Sequence, residues 1–279
     1  MLLLGNGSND VIDLVARTFL GHDDEAISSQ YAFAIYAIAT QSAGAKNIVV
    51  PAKEYNHDLD VMQAAITERT KVIWIANPNN PTGTFIPYSD VKRFLQKIPS
   101  HIVVVLDEAY FEYLDPKQRA NSIAWLFEHP NLILMRTFSK IYGLASLRVG
   151  YGVTSPKTAD LLNRVRHPFN VNGLAIAAAT AALEDHGFVT KSYTETKKGR
   201  EQLLQHLQKM QVECLPAYGN FVTIQLNEAE KINDALLKQG VIVRQLASYG
   251  MPDCLRVTVG TEIENSRFLN ALKPTLHLL

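Results

Sequence analysis

A chain of 279 residues, 47% hydrophobic and 19% charged, is long enough for one large domain or two ordinary ones around a substantial core. Its 27 basic and 27 acidic side chains cancel, which argues against a protein that coats nucleic acid or an anionic membrane. Cys214 and Cys254 form no metal-spaced pair and read as free thiols of a reducing cytoplasm, and no apolar run nears membrane-spanning length.

In chain order, "MLLL" is too short for a signal-peptide core, and "GNGSND" (5–10) opens the amphipathic helical stretch "DVIDLVARTFL" with no strand or helix expected ahead of it. "SSQYAFAIY" (28–36) follows, with aromatics that suit either a core or a stacking lid. Short β-branched runs then recur at "NIVVP" (47–51), "KVIWIAN" (71–77), "IVVVLDEA" (102–109), "LILMRT" (132–137) and "RVGYGV" (148–153). Helical patterns such as "SDVKRFLQKI" (89–98) and "PKTADLLNRV" (156–165) lie between them. Nearly continuous apolar strands separated by helices predict an α/β fold, with a mostly parallel sheet sandwiched by helices.

A long helical tract from about Gly173 to Met210 is expected to break near Gly187. The pattern then shortens: "NFVTIQL" (220–226), a helix near 228–239, "VIVR" (241–244), "LRVTVG" (255–260) and a last helix near 262–273. These predict a smaller C-terminal α+β domain, with the boundary drawn between 1–188 and 189–279.

In open α/β sheets ligands collect beyond the carboxyl ends of the strands, and the unusual residues fall there. "NPNNPTG" (77–83) taken alone is an ordinary turn, since Asn, Pro and Gly are turn formers. Asp107, in "DEAY", ends a buried strand, where a carboxylate needs a cation or hydrogen bonds: a structural ion pair, or a cationic ligand atom. Lys140 follows Thr137 and Ser139 and precedes Arg148, a set that suits a phosphate and a carbonyl better than a lone solvated lysine would. The small residues at 5–10 leave helix N-terminal N–H groups for an anion, although Ser8 or Asn9 could simply cap the helix.

Together these features describe one ligand: a phosphate, an aldehyde for Lys140, a ring nitrogen that Asp107 keeps protonated, and a ring oxygen for Asn80 and Tyr110. Pyridoxal 5′-phosphate has all four. The stretches "LGNGSNDVIDLVARTFLG", "NPNNPTG", "LDEAYFEY", "RTFSKIYGLASLRVGY", "PFNVNGLA" and "CLRVTVGT" span nearly the whole chain. In that order they resemble the fold-type I pyridoxal-phosphate aminotransferases of class I/II, most closely the histidinol-phosphate aminotransferases.

The resemblance implies that Lys140 is the Schiff-base lysine and proton carrier, that Asp107 pairs with the ring nitrogen, and that Tyr110 and Asn80 bond the ring oxygen. It implies a phosphate cup of Ser8, Asn9, Thr137, Ser139 and Arg148, with Phe33 stacked on the ring where the family often has Tyr. Arg256 matches the arginine for the α-carboxylate of substrate or glutamate, Arg244 suits a substrate phosphate, and Asn220 is a further substrate contact. Cytoplasmic homodimers exchanging amino groups between histidinol phosphate and 2-oxoglutarate are the implied assembly and reaction. An aromatic amino acid aminotransferase, a threonine-phosphate decarboxylase and a cofactor-binding chain without turnover are the alternatives. The family also carries an N-terminal segment, with a tyrosine for the neighbouring subunit's cofactor phosphate, that this sequence is expected to lack.

Overall fold

The computed structural model describes residues 1–276. Its larger sheet comprises β1 (Leu2–Gly5), β2 (Glu25–Ser29), β3 (Lys46–Val50), β4 (Thr70–Ala76), β5 (Val103–Asp107), β6 (Leu132–Thr137) and β7 (Gly150–Thr154), in the order β1-β7-β6-β5-β4-β2-β3. Only β7 runs against its neighbours, pairing antiparallel with both β1 and β6; the other pairs are parallel. The mostly parallel sheet is as expected, but two strands were not foreseen.

One of them overturns the expectation of an unsupported start. Leu2–Gly5 forms an edge strand whose partner lies some 150 residues downstream, with Leu2 opposite Val153 and Gly5 opposite Gly150. Four residues are too few to carry a strand signal on their own, and the pairing that stabilises them is non-local. The other, β2, is five residues long and wholly buried. Its "EAISS" mixes Glu and Ser into a central strand, and Glu25 is held there by Arg69 at 2.6 Å and Thr67 at 2.7 Å.

Helices α1 (Ser8–Phe19), α2 (Ile35–Ser42) and α5 (Pro156–Val165) cover one face, and α3 (Leu59–Ala64) and α4 (Tyr88–Leu95) the other. Alternate residues of β5 feed the two cores: Val103 and Val105 pack with Val11, Leu14 and Trp74, while Val104 and Leu106 pack with Val91 and Phe94. Burial on both faces is why the strands read as unbroken apolar runs.

The helical tract is two helices, α6 (Gly173–Glu184) and α7 (His186–Lys209). The break falls at Asp185 rather than Gly187, because the Asp185 carboxylate caps α7 by accepting from the Phe188 N–H at 2.9 Å. Beyond lie β8 (Glu213–Cys214), β9 (Phe221–Gln225), α8 (Ala229–Lys238), β10 (Arg244–Gln245), β11 (Cys254–Thr258) and α9 (Glu262–Leu276). They form a second, antiparallel sheet in the order β10-β11-β9-β8, over a core that includes Leu207, Ile224, Leu236, Leu255 and Leu272. "VIVR" is a strand only from Arg244 onward, since Val241 and Val243 pack into that core as a loop. Cys214 and Cys254 are free thiols.

The topology gathers the loops. β4, β5 and β6 end at one edge; β1, parallel to β6, ends there too and delivers α1, and β7 starts there.

Candidate active site

At that edge a cavity of about 350 Å³ opens between the two sheets, within the range of small-ligand clefts. Asp107, the last residue of β5, lies on its floor at 6% exposure. Its carboxylate accepts from the Tyr36 hydroxyl at 2.7 Å and from the Ala109 N–H at 3.0 Å. Burial pushes the carboxyl up to about 6, against the pull of those two bonds and of the Lys140 charge. A buried carboxylate with no direct ion pair, facing a cavity, is built to meet a cation.

Lys140 follows β6 in the turn that reverses the chain into β7. Burial lowers its proton affinity first, and the charges of Arg256 and Arg148 lower it further while Asp107 opposes them. Its Nζ sits 5.3 Å from the centre of the Tyr110 ring. The same turn carries Thr137, whose hydroxyl accepts from the Ser139 N–H at 3.0 Å, and Arg148, whose Nη1 donates to the Ala145 carbonyl at 2.8 Å and to the Ser139 hydroxyl at 3.4 Å.

Arg148 takes a left-handed backbone conformation, φ 57°, and lies against Gly7. A Cβ on Gly7, itself at φ +80°, would run into the guanidinium, and one on Gly150 would strike the Ser8 amide. Both positions therefore need glycine for the first turn of α1 to sit against β7. Gly7, not Ser8 or Asn9, is the N-cap of α1, and no side chain caps that helix end. Ser8 and Asn9 face the cavity from the uncapped end, where free N–H groups favour an anion.

The loop after β4 divides its three asparagines between two tasks. Asn77 exchanges hydrogen bonds with the Ile86 backbone at 2.8 and 2.9 Å, and Asn79 donates to the Tyr31 carbonyl at 3.1 Å and the Thr82 hydroxyl at 2.8 Å. The turn reading holds for these two. Asn80 alone turns to the cavity, where its side-chain oxygen accepts from Arg256 Nη1.

The second sheet supplies the opposite wall. Arg244 and Arg256 stand opposite one another on β10 and β11, and both line the cavity. The Arg256 guanidinium lies 5.0 Å from the centre of the Phe221 ring, which meets Tyr110 edge-on at 5.4 Å. Its buried Nε has no partner in the protein, leaving a donor for a ligand. Counting charges, Lys140, Arg148, Arg244 and Arg256 surround one carboxylate, Asp107, so the cavity selects ligands with more than one anionic group.

Twelve of the thirteen residues expected from sequence line this one cavity. Asn220 does not: it precedes β9, and its carbonyl accepts from the Val259 N–H at 2.9 Å. Five lining residues were not expected, and two of them are tyrosines. Tyr36 could have been found from its three-residue spacing after Phe33, which puts both on one side of a helical turn. Tyr249 sits in a short turn between β10 and β11 that carries no sequence signal.

A model of the family described as "Aminotransferase class I and II" matches residues 1–272. Histidinol-phosphate aminotransferase 1 of Dechloromonas aromatica is 55% identical over 99% of this chain and 76% of its own length. The enzyme of the same name from Thiobacillus denitrificans is 54% identical over 99% of this chain and 72% of its own. Among solved structures, histidinol-phosphate aminotransferase from Sinorhizobium meliloti in complex with pyridoxal-5′-phosphate superposes with a TM-score of 0.93 at 27% identity, covering 99% of this chain and 77% of that one.

Proposed function

Since the chain belongs to the class I and II aminotransferases, we propose that it moves an amino group between histidinol phosphate and 2-oxoglutarate, with pyridoxal 5′-phosphate held in the cavity. The observation that carries the reading is the wall pairing of Arg244 with Arg256 above a buried acid and a lysine whose proton affinity burial lowers. A phosphate-bearing amine and a dicarboxylate both need two anion contacts on the substrate side, beyond those that hold the cofactor.

The residues fit the cofactor. The uncapped end of α1 at Ser8 and Asn9, with Thr137, Ser139 and Arg148, would hold its phosphate; Asp107 its ring nitrogen; Asn80 and Tyr110 its ring oxygen; and Lys140 its aldehyde. When bound, the group supplies a carbonyl that accepts the amine and a ring that withdraws electrons while a proton moves. Lys140 Nζ, its proton affinity lowered, serves as the base that takes the substrate Cα proton and returns it. Arg256 orients the α-carboxylate of glutamate through its planar fork, and Arg244 binds the substrate phosphate. Phe33 lines the same cavity and would stack on the ring.

The two separate sheets support a division into a cofactor domain over 1–188 and a smaller domain over 189–279. The apolar helix α6 supports a homodimer: Leu174 is 78% exposed, Ile176 and Leu183 are exposed on its other side, and only Ala175 and Ala179 are buried. Among the described residues no helix is long and apolar enough to cross a membrane. The free thiols support a cytoplasmic location.

The test is an absorption titration of the purified chain with pyridoxal phosphate, followed by histidinol phosphate, glutamate or phenylalanine as donor. A visible band that is lost in Lys140→Ala and bleaches best with histidinol phosphate is expected. Preference for phenylalanine would move the assignment to aromatic substrates, and a band indifferent to every donor would overturn transamination.

A further inference from the structure

Tyr36 is 1% exposed, and its hydroxyl makes the shortest contact to Asp107. Its ring is held on two sides. Trp74 of β4 stacks on it at 5.3 Å and 2°, and Phe33 meets it edge-on at 5.8 Å and 88°. Trp74 is fixed in turn, since its indole N–H donates to the Thr40 hydroxyl one turn further along α2, at 3.2 Å. The chain Thr40–Trp74–Tyr36–Asp107 thus leaves the phenol one direction in which to point. Burial and the neighbouring Asp107 charge hold the phenol's proton affinity well above its ordinary value, so the hydroxyl is a permanent donor.

Resting on the cofactor reading above, we propose that Tyr36 is a positioning residue for the cofactor ring: it aims the Asp107 carboxylate and keeps it ionised, so that the ring nitrogen retains its proton. Phe33, expected on the ring face, leans on the same tyrosine, so one side chain braces both the stacking and the nitrogen contact. The groups facing Asp107 are Tyr36 from α2, Lys140 from the turn after β6, and Glu108 and Tyr110 from its own segment. Glu108 is already occupied by Arg136 at 2.9 Å, and Lys140 would be engaged by the aldehyde. Beside the Ala109 N–H, Tyr36 is then the side-chain donor left to favour the carboxylate over the carboxylic acid.

The experiment compares wild type, Tyr36→Phe, Asp107→Asn and the double variant. Cofactor affinity is measured across the neutral pH range, and ring-nitrogen protonation by nitrogen NMR of labelled pyridoxal phosphate. Loss of a buried hydrogen bond to a charge predicts affinity weaker by roughly tenfold to a hundredfold in Tyr36→Phe. The loss grows as pH falls, because the unaided carboxylate protonates sooner, and the ring-nitrogen signal moves toward the unprotonated form. In the Asp107→Asn background Tyr36→Phe has no further effect. An unchanged ring-nitrogen signal, or an equal loss in both backgrounds, would overturn the proposal and leave Tyr36 as packing. If melting of the cofactor-free chain shows Tyr36→Phe unfolded, fluorotyrosine at position 36 is the second probe. Its more acidic hydroxyl is the stronger donor, so the Asp107 carboxylate stays ionised and cofactor affinity must persist to lower pH; no change there also overturns the proposal. Failure of wild type to bind the cofactor would instead defeat the reading on which this one rests.

Discussion

The buried carboxylate of Asp107 should make the cofactor-free chain less stable than it could be, and Asp107→Asn should relieve that. The group titrates at about 6 in the folded chain against 3.8 when solvated. At 1.36 kcal/mol per pH unit, its ionised form is disfavoured by about 3 kcal/mol at neutral pH. Asparagine removes the charge but sets an NH₂ against either the Tyr36 hydroxyl or the Ala109 N–H, forfeiting about 1 kcal/mol of hydrogen bonding. The net gain of about 2 kcal/mol corresponds to a thermal midpoint higher by roughly 4 °C for a chain of this size. The sign depends on pH. Between the unfolded and folded values the native state binds the proton more tightly, so wild-type stability falls as pH rises through about 4 to about 6. Below that window both states are protonated and the advantage of asparagine disappears. Scanning calorimetry of both cofactor-free chains at pH 7 and at pH 4 checks this. A less stable variant at neutral pH, or a difference unchanged between the two conditions, would refute the reasoning.

Arg136→Met should lower the urea midpoint of the cofactor-free chain by an amount equivalent to about 3–5 kcal/mol, because Glu108, 0% exposed, would keep only the Tyr88 and Ser122 hydroxyls. Adding Glu108→Gln should restore a large part of the loss, which a double-mutant cycle measures. Arg256→Lys gives up the planar fork, the stacking over Phe221 and the bond to Asn80, and should raise KM for glutamate by roughly tenfold or more in steady-state assays, with a smaller loss of cofactor affinity. Leu174→Glu on the uncovered face of α6 should shift the chain toward monomer in sedimentation experiments, with secondary structure unchanged by circular dichroism.

Fold class was legible because a parallel sheet buried on both faces leaves apolar runs such as "VIWIA" and "VVVL". In the larger sheet, the strands that escaped notice are those whose stabilisation comes from elsewhere in the chain: β1 from β7, and β2 from ion pairing and burial around Glu25. The active-site residues were legible where chemistry is unusual for its position, as with a carboxylate ending the strand at Asp107 or a lysine in the turn at 140. Tyr36 and Tyr249 were less so, since a buried tyrosine in an apolar segment looks the same whether it serves a core or a carboxylate. Asn220 lies outside the lining, at the start of β9 with its carbonyl tied to Val259. Which of Asn77, Asn79 and Asn80 faces the cavity is decided by hydrogen bonds to Ile86, Tyr31 and Thr82, contacts that no local pattern encodes.

Because β7 turns straight back along β6, Lys140 and Arg148 belong to one hairpin, and β1 brings Ser8 and Asn9 to the same edge. Arg244 and Arg256 are neighbours on a different sheet, across the cavity. On the proposed reading, the anchors of the coenzyme and the residues that choose the reactant stand on separate scaffolds, joined where Arg256 meets Asn80. On that reading, substitutions along β10 and β11 that spare the contact between Arg256 and Asn80 retune which amines are accepted and leave the coenzyme's own anchors in place.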